Sequence, residues 1–196
     1  MVHVSFSLGM RCGLSDQRGF SVRNTSQIKT ESILKGEIMV QLLIIDDQAL
    51  VRTGLRHILD QSSEISEIRE AKSGEAALSR CRRFRPDIIL LSINLPGLTG
   101  FEITRKLLRT QPGARIIILA VHAKPPFPSR MMGVGASGYL TRDCEAEELL
   151  QAIKVVSGGQ RYIGNEAAKQ LALSMLSGSG KDSPFEDLSA REMEVM

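Results

Sequence analysis

Three short aliphatic runs constrain this chain more than any other feature: QLLII at 41–45, DIILLS at 87–92 and RIIILAV at 115–121. Each is apolar at consecutive positions instead of alternating, and each is too short for a stable helix. A strand that is apolar on both faces has to be covered on both faces, which is the condition met by a parallel sheet between two layers of helices. The intervals between the runs read as those helices. Leu50, Val51, Leu55, Ile58 and Leu59 recur at helical spacing. Ser73 can cap a helix running to about Phe84. Thr99 and Glu102 form a capping box that opens a helix through Arg109. A short helix follows Pro128, and Asp143, Glu145, Glu147 and Glu148 load the start of another with favourable negative charge, ending near Gly158 and Gly159. A weaker strand at 65–70 and a short one at 137–140 bring the count to five. The expected fold is therefore α/β, a doubly wound five-stranded parallel sheet. Such sheets bind ligands beyond the carboxyl ends of their strands, where the strand order reverses. Asp46, Asp47, Ser92 and Ala120 all stand at or near such ends.

Composition removes several function classes. The chain has no Trp, two Tyr and six Phe, too few aromatics for a base-stacking nucleic-acid platform. Its three cysteines, Cys12, Cys81 and Cys144, are scattered and form no CxxC, the usage of reduced cytosolic thiols and not of a disulfide scaffold or zinc site. No apolar run reaches the ~18 residues of a membrane helix, so a cytoplasmic location without membrane contact is expected. The net charge of +3 is carried mostly by the first 38 residues; from Met39 onward 20 Lys and Arg face 19 Asp and Glu. Bulk charge on the globular part thus gives no signal for phosphate-backbone binding. The local cluster Arg80, Arg82, Arg83 and Arg85 has two readings, a nucleic-acid contact or a solvated helix end that complements the helix dipole.

The pattern divides the chain at recognisable points. Residues 1–38 lack apolar periodicity and read as a disordered extension. The codons for Lys35, Gly36 and Glu37 can form a purine-rich run like a ribosome-binding site, which makes Met39 the expected start. Residues 39–159 form the α/β unit, and 160–187 a linker that holds a helix from Asn165 to Leu176 and a Gly/Ser stretch. Residues 188–196 open one more helix with a capping box at Ser189 and Glu192.

Taken together, Ile45-Asp46-Asp47, the strand leading into Asn94-Leu95-Pro96-Gly97, and Gly138-Tyr139-Leu140-Thr141-Arg142 resemble the receiver domain of bacterial two-component response regulators. The helix, linker and Leu188-Ser-Ala-Arg-Glu192 that follow resemble the start of the LuxR-type helix-turn-helix of the NarL/FixJ class. Pro126-Phe127-Pro128, Gly159-Gln-Arg-Tyr-Ile163 and Asp182-Ser-Pro-Phe185 are similar to the GacA/UvrY branch of that class. The resemblance implies a phosphoacceptor aspartate fed by a sensor histidine kinase, with Mg²⁺ held by neighbouring carboxylates and a hydroxyl and a lysine on the phosphoryl oxygens. It also leaves room for a homodimer, and for DNA binding where the helix-turn-helix is complete; here the DNA-reading helix would lie beyond Met196.

Carried over position by position, the match is incomplete. The acidic pair is Asp46 and Asp47, and the metal-side positions are Asp47 and Asn94. The aromatic switch position is Tyr139, where packing is the competing reading. The phosphoacceptor position, however, is Ser92, the hydroxyl position is Ala120 and the lysine position is Arg142. A serine hydroxyl is neutral at pH 7 and needs a base to attack phosphorus, and no His stands in the motif, His122 being read as an exposed loop residue. Ala120 has no hydroxyl to give. Loss of one carboxylate removes roughly 4 kcal/mol of attraction per unit of metal charge at about 4 Å in an effective dielectric near 20, so the Mg²⁺ site is expected to be weakened. Arg142 is then the natural countercharge, expected within about 4 Å of an Asp46 or Asp47 oxygen.

Three functions compete. A degenerate receiver would signal and dimerise without taking phosphate. A working transcriptional regulator, of which this chain is a fragment, would take it despite Ser92. A small α/β enzyme or nucleotide binder would need a GxGxxG or P-loop after the first strand, and none is present. The reading is the first, a non-enzymatic receiver that does not accept phosphate at the usual position.

Overall fold

The computed structural model describes residues 39–176, so the readings of 1–38 and 177–196 lie outside the described residues. The elements in chain order are β1 (Val40–Ile45), α1 (Ala49–Leu59), β2 (Ile65–Ala71), α2 (Gly74–Cys81), β3 (Ile88–Ser92), α3 (Gly100–Thr110), β4 (Arg115–Ala120), α4 (Phe127–Val134), β5 (Gly138–Thr141), α5 (Ala146–Ser157), β6 (Tyr162–Ile163) and α6 (Asn165–Leu176). The strands form one parallel sheet in the order β2-β1-β3-β4-β5-β6. The order reverses between β1 and β3, where the carboxyl ends carry Asp46 and Ser92.

The doubly apolar strands behave as their composition requires. Leu42, Ile44, Ile88, Leu90, Ile117 and Leu119 face one core, closed by Leu59 of α1 and by Leu149, Ile153 and Val156 of α5. Leu43, Ile45, Ile89, Leu91, Ile116 and Ile118 face the other, closed by Ala77, Ile103, Leu107 and Met131 of α2, α3 and α4. All twelve strand side chains are buried. At ~1.5–3 kcal/mol each for full burial of a large aliphatic side chain, they are the main source of stability. The expected caps are in place: Ser73 Oγ accepts from Ala76 N, and Thr99 and Glu102 form the reciprocal box.

Three features differ from the expectation. The sheet has six strands, not five, because Tyr162 and Ile163 pair with Gly138 and Tyr139; a two-residue strand leaves no periodicity to read. It draws part of the segment read as linker onto the sheet, and α6 follows it with Ala167 buried in the same core as Tyr139. The helix from Ser73 ends at Cys81, with 82–83 forming a turn. Leu50, read as part of the inward stripe of α1, is 87% exposed.

Candidate functional site

The parallel register brings the carboxyl ends of β1, β3, β4 and β5 to one edge. Ile45 pairs with Leu91, Ser92 with Leu119, and Ala120 with Thr141. Asp46, Ser92, Ala120 and Arg142 thereby gather although they come from four separate strands. Asp46 and Ser92 are both 1% exposed, and Ala120 is 2% exposed.

The centre of the site is a guanidinium. Arg142 Nη2 donates to Asp46 Oδ2 at 2.6 Å and to Ser92 Oγ at 2.5 Å. The same residue is fixed from its main chain, Arg142 N donating to the carbonyl of Ala120 at 2.8 Å. Asp46 Oδ1 is also taken, by the main-chain N–H of Gln48 at 2.8 Å. The two carboxylate oxygens thus each hold a donor. Burial nevertheless raises the Asp46 carboxyl above its ordinary range; the Gln48 N–H and the Arg142 charge oppose that rise, and the Asp47 charge adds to it. Arg142 Nε is buried with no hydrogen-bond partner, so the guanidinium reaches the pair end-on through one nitrogen and not as a two-pronged fork.

The other expected residues are placed less centrally. The ion pair forms with Asp46; Asp47 is exposed, as is Asn94. Tyr139 is fully buried and its hydroxyl donates to the carbonyl of His122 at 2.9 Å. Burial pushes the phenol far above its ordinary range, so it stays protonated and a donor. The His122 residue itself is exposed. Cys144, in the turn before α5, has its thiol raised to about 11, by burial first and by Glu148 and Asp143 next, and therefore stays in the protonated form at neutral pH.

One group escaped the reading from sequence. Arg52 Nη1 donates to the carbonyls of both Asp46 and Asp47, at 2.9 and 3.1 Å, while its Nε bonds Glu70 Oε2 at 3.2 Å. Arg56 Nε holds the other oxygen of Glu70 at 2.6 Å. Arg52 thus clamps the acidic turn to β2. The available signal was the Arg52/Arg56 pair, one turn apart on α1 and opposite an acid on the neighbouring strand.

A Mg²⁺ ion, which receiver domains generally hold at this edge, needs several hard oxygen ligands in near-octahedral array. Here the one buried carboxylate is saturated by Gln48 and Arg142, the third-strand position offers a hydroxyl already bonded to a cation, and Asp47 and Asn94 stand in solvent. Among the described residues no three His, Cys, Asp or Glu side chains are grouped to hold a metal. As arranged, these groups do not fit the ion.

Residues 42–154 match the model of the response regulator receiver domain. The chain belongs to that family. It is 41% identical over 157 residues to the response regulator GacA of Pseudomonas aeruginosa, covering 80% of this chain and 73% of that protein. It is 40% identical over 158 residues to the response regulator UvrY of Escherichia coli, covering 81% and 72%. Among solved structures, a LuxR-family two-component response regulator from Aurantimonas superposes with a TM-score of 0.67 at 30% identity, covering 70% of this chain and 99% of that one. Two-component response regulation, with a flavodoxin-like receiver, is thus the setting of the site. No helix among the described residues is long and apolar enough to cross a membrane.

Proposed function

We propose that this response regulator carries a receiver that works without phosphate on its third strand, its switch chemistry being replaced by an internal ion pair. One observation carries the reading: a single nitrogen of Arg142 bonds both Asp46 and the buried hydroxyl of Ser92. The cation that a phosphoryl group would call for is already satisfied by a resident carboxylate. Ser92 Oγ bonds a positive donor, which lowers its nucleophilicity, and the carboxylate beside it, Asp46, is already engaged by Arg142 and by the Gln48 N–H. Ala120 has no hydroxyl with which to steady a transferred group. The pocket is therefore held in one arrangement, and Tyr139 stays buried against the His122 carbonyl whatever the state of a kinase.

In this reading a sensor histidine kinase is at most a docking partner at the Asp47 edge, Mg²⁺ is not required, and a homodimer transmits the signal. Transcription control is the output of this reading, supported by the similarity to a LuxR-family response regulator. The test is incubation of the chain with acetyl phosphate and Mg²⁺, followed by intact mass measurement. No phosphoryl gain is expected. A stoichiometric gain located on Ser92 overturns the proposal and makes the chain a working phosphoacceptor.

A further inference from the structure

The opposite end of the sheet carries a second hollow, of about 510 Å³, at the amino ends of β3 and β4. Arg82 and Arg85 form one lip and the loop 110–113 the other. The lips are tied together, Gln111 Nε2 donating to the carbonyl of Cys81, so the hollow is preformed. Its floor is also fixed: Asp87 Oδ2 accepts from Gln41 N at 2.8 Å.

The charge around it is mostly positive: Arg82 and Arg85 line it, and Asp87, the acid on its floor, has one oxygen taken by the Gln41 N–H. Residues 80–109 hold seven Lys or Arg against two Asp or Glu. Arg80, Arg82, Arg83, Arg85, Arg105 and Arg109 are all exposed. None pairs with an acid among the described residues, whereas Arg52, Arg56, Arg69, Arg142 and Lys154 each do. Helix dipoles account for only part of this. Each of α2 and α3 has one cation in its last turn, Arg80 and Arg109, which is the usual complement. Arg82, Arg83 and Arg85 stand past the end of α2 and exceed it. Clustered like charges repel, and the repulsion is relieved by a bound anion.

We propose that this hollow binds a compact, multiply charged anion, the di- or triphosphate group of a phosphorylated small molecule. Guanidinium forks match phosphate oxygens in pairs, and the volume falls within the roughly 300–1,000 Å³ of small-molecule sites. The concave shape and the absence of any aromatic among its lining residues favour a small ligand over a nucleic-acid strand, which needs an extended groove with stacking faces.

The test is calorimetric titration of the full chain at low salt with inorganic pyrophosphate, with ATP and with duplex DNA. Saturable 1:1 binding of pyrophosphate and of ATP is expected. It should weaken by about tenfold or more in Arg82→Ser/Arg85→Ser and be unchanged in Lys154→Ser, whose residue lies elsewhere. Should the double variant fail to fold, Arg82→Lys and Arg85→Lys replace it; loss of the paired geometry should still weaken binding several-fold. Binding of neither phosphate probe, binding of DNA alone, or affinity unchanged in the variants overturns the proposal.

Discussion

Arg142 and Asp46, 96 residues apart in sequence, meet at 2.6 Å with 18% and 1% of their side chains exposed. Their closeness makes each the condition for the other's burial. Removing one partner of a buried pair costs about 3–5 kcal/mol because the survivor is left uncompensated. The partial exposure of Arg142 puts this site toward the lower end.

Arg142→Ala is therefore expected to lower stability by about 3 kcal/mol at pH 7, with a pH dependence of defined sign. Without the guanidinium, Asp46 is still buried and still near Asp47, so its folded pKa, already raised, rises further. A carboxyl with a raised folded pKa holds more protons folded than unfolded, so stability falls as pH climbs from the unfolded value of 3.8 through the folded one. The deficit of the variant should shrink toward pH 4. Urea unfolding across that range measures it; a deficit independent of pH would mean that Asp46 is not the group being compensated.

The phosphoacceptor position lends itself to stepwise restoration. Ser92→Asp alone places a second carboxylate beside Asp46 with one guanidinium between them, and Ala120 still offers no hydroxyl. Only weak phosphoryl acceptance from acetyl phosphate is expected. Adding Ala120→Thr and Arg142→Lys should raise the accepted fraction above that of the single variant. Intact mass at fixed time reads the difference, and equal acceptance by both variants would count against the roles given to Ala120 and Arg142.

Glu70 behaves in the opposite sense to Asp46. Its carboxyl is held below the ordinary range, by the Arg56 hydrogen bond first and by Arg52 as well, against a smaller opposing effect of burial. A depressed folded pKa gives stability that is present above the unfolded value of 4.5 and is lost as pH falls through the folded one. Glu70→Gln should cost about 0.5–1 kcal/mol at pH 7 for this half-exposed pair, and nearly nothing once both forms are neutral in acid. High salt should shrink the neutral-pH effect. The variant also frees Arg52, so a broadened amide resonance at Asp47 in NMR would report a loosened acidic turn.

Much of this was legible in the chain itself. The aliphatic runs at 41–45, 87–92 and 115–121 specify the sheet because each is apolar on both faces, and the caps at Ser73 and Thr99 set two helix starts to the residue. Arg142 was placed opposite the acidic pair through the resemblance to receiver domains, which sets this position at the end of the fifth strand. What escaped depends on tertiary context. Tyr162 and Ile163 form a strand only because β5 offers a free edge. Leu50 sits on α1 at helical spacing with the core residues but one position off the buried stripe. Arg52 makes its three contacts with main-chain carbonyls and one distant acid, partners that no local pattern announces. Asp46 and Asp47 look equivalent as neighbours, yet successive residues leave the strand end in opposite directions, and only Asp46 turns inward.

The attachment of α6 to the receiver rests on one small residue. Gly164 N donates to the carbonyl of Tyr139 at 2.8 Å, and the next N–H, of Asn165, donates to Glu148 Oε1 at 2.7 Å. A Cβ at Gly164 would stand 2.9 Å from Leu140 Cδ2, 3.2 Å from Glu148 Oε1 and 3.3 Å from the Tyr139 carbonyl oxygen. The leucine end can shift, but the carbonyl belongs to β5 and cannot. Gly164→Ala should therefore push the start of α6 outward, lengthen both hydrogen bonds and unseat Ala167, which is 1% exposed. Overpacking of this kind costs about 1–3 kcal/mol. The loss should be local, since Gly164 follows the edge strand β6, and β5 separates that strand from β4, β3 and β1 in the sheet. Amide hydrogen exchange should accelerate across 165–176 and stay slow in 88–92 and 115–120. Uniform acceleration through the sheet would show instead that α6 and the receiver unfold as one unit.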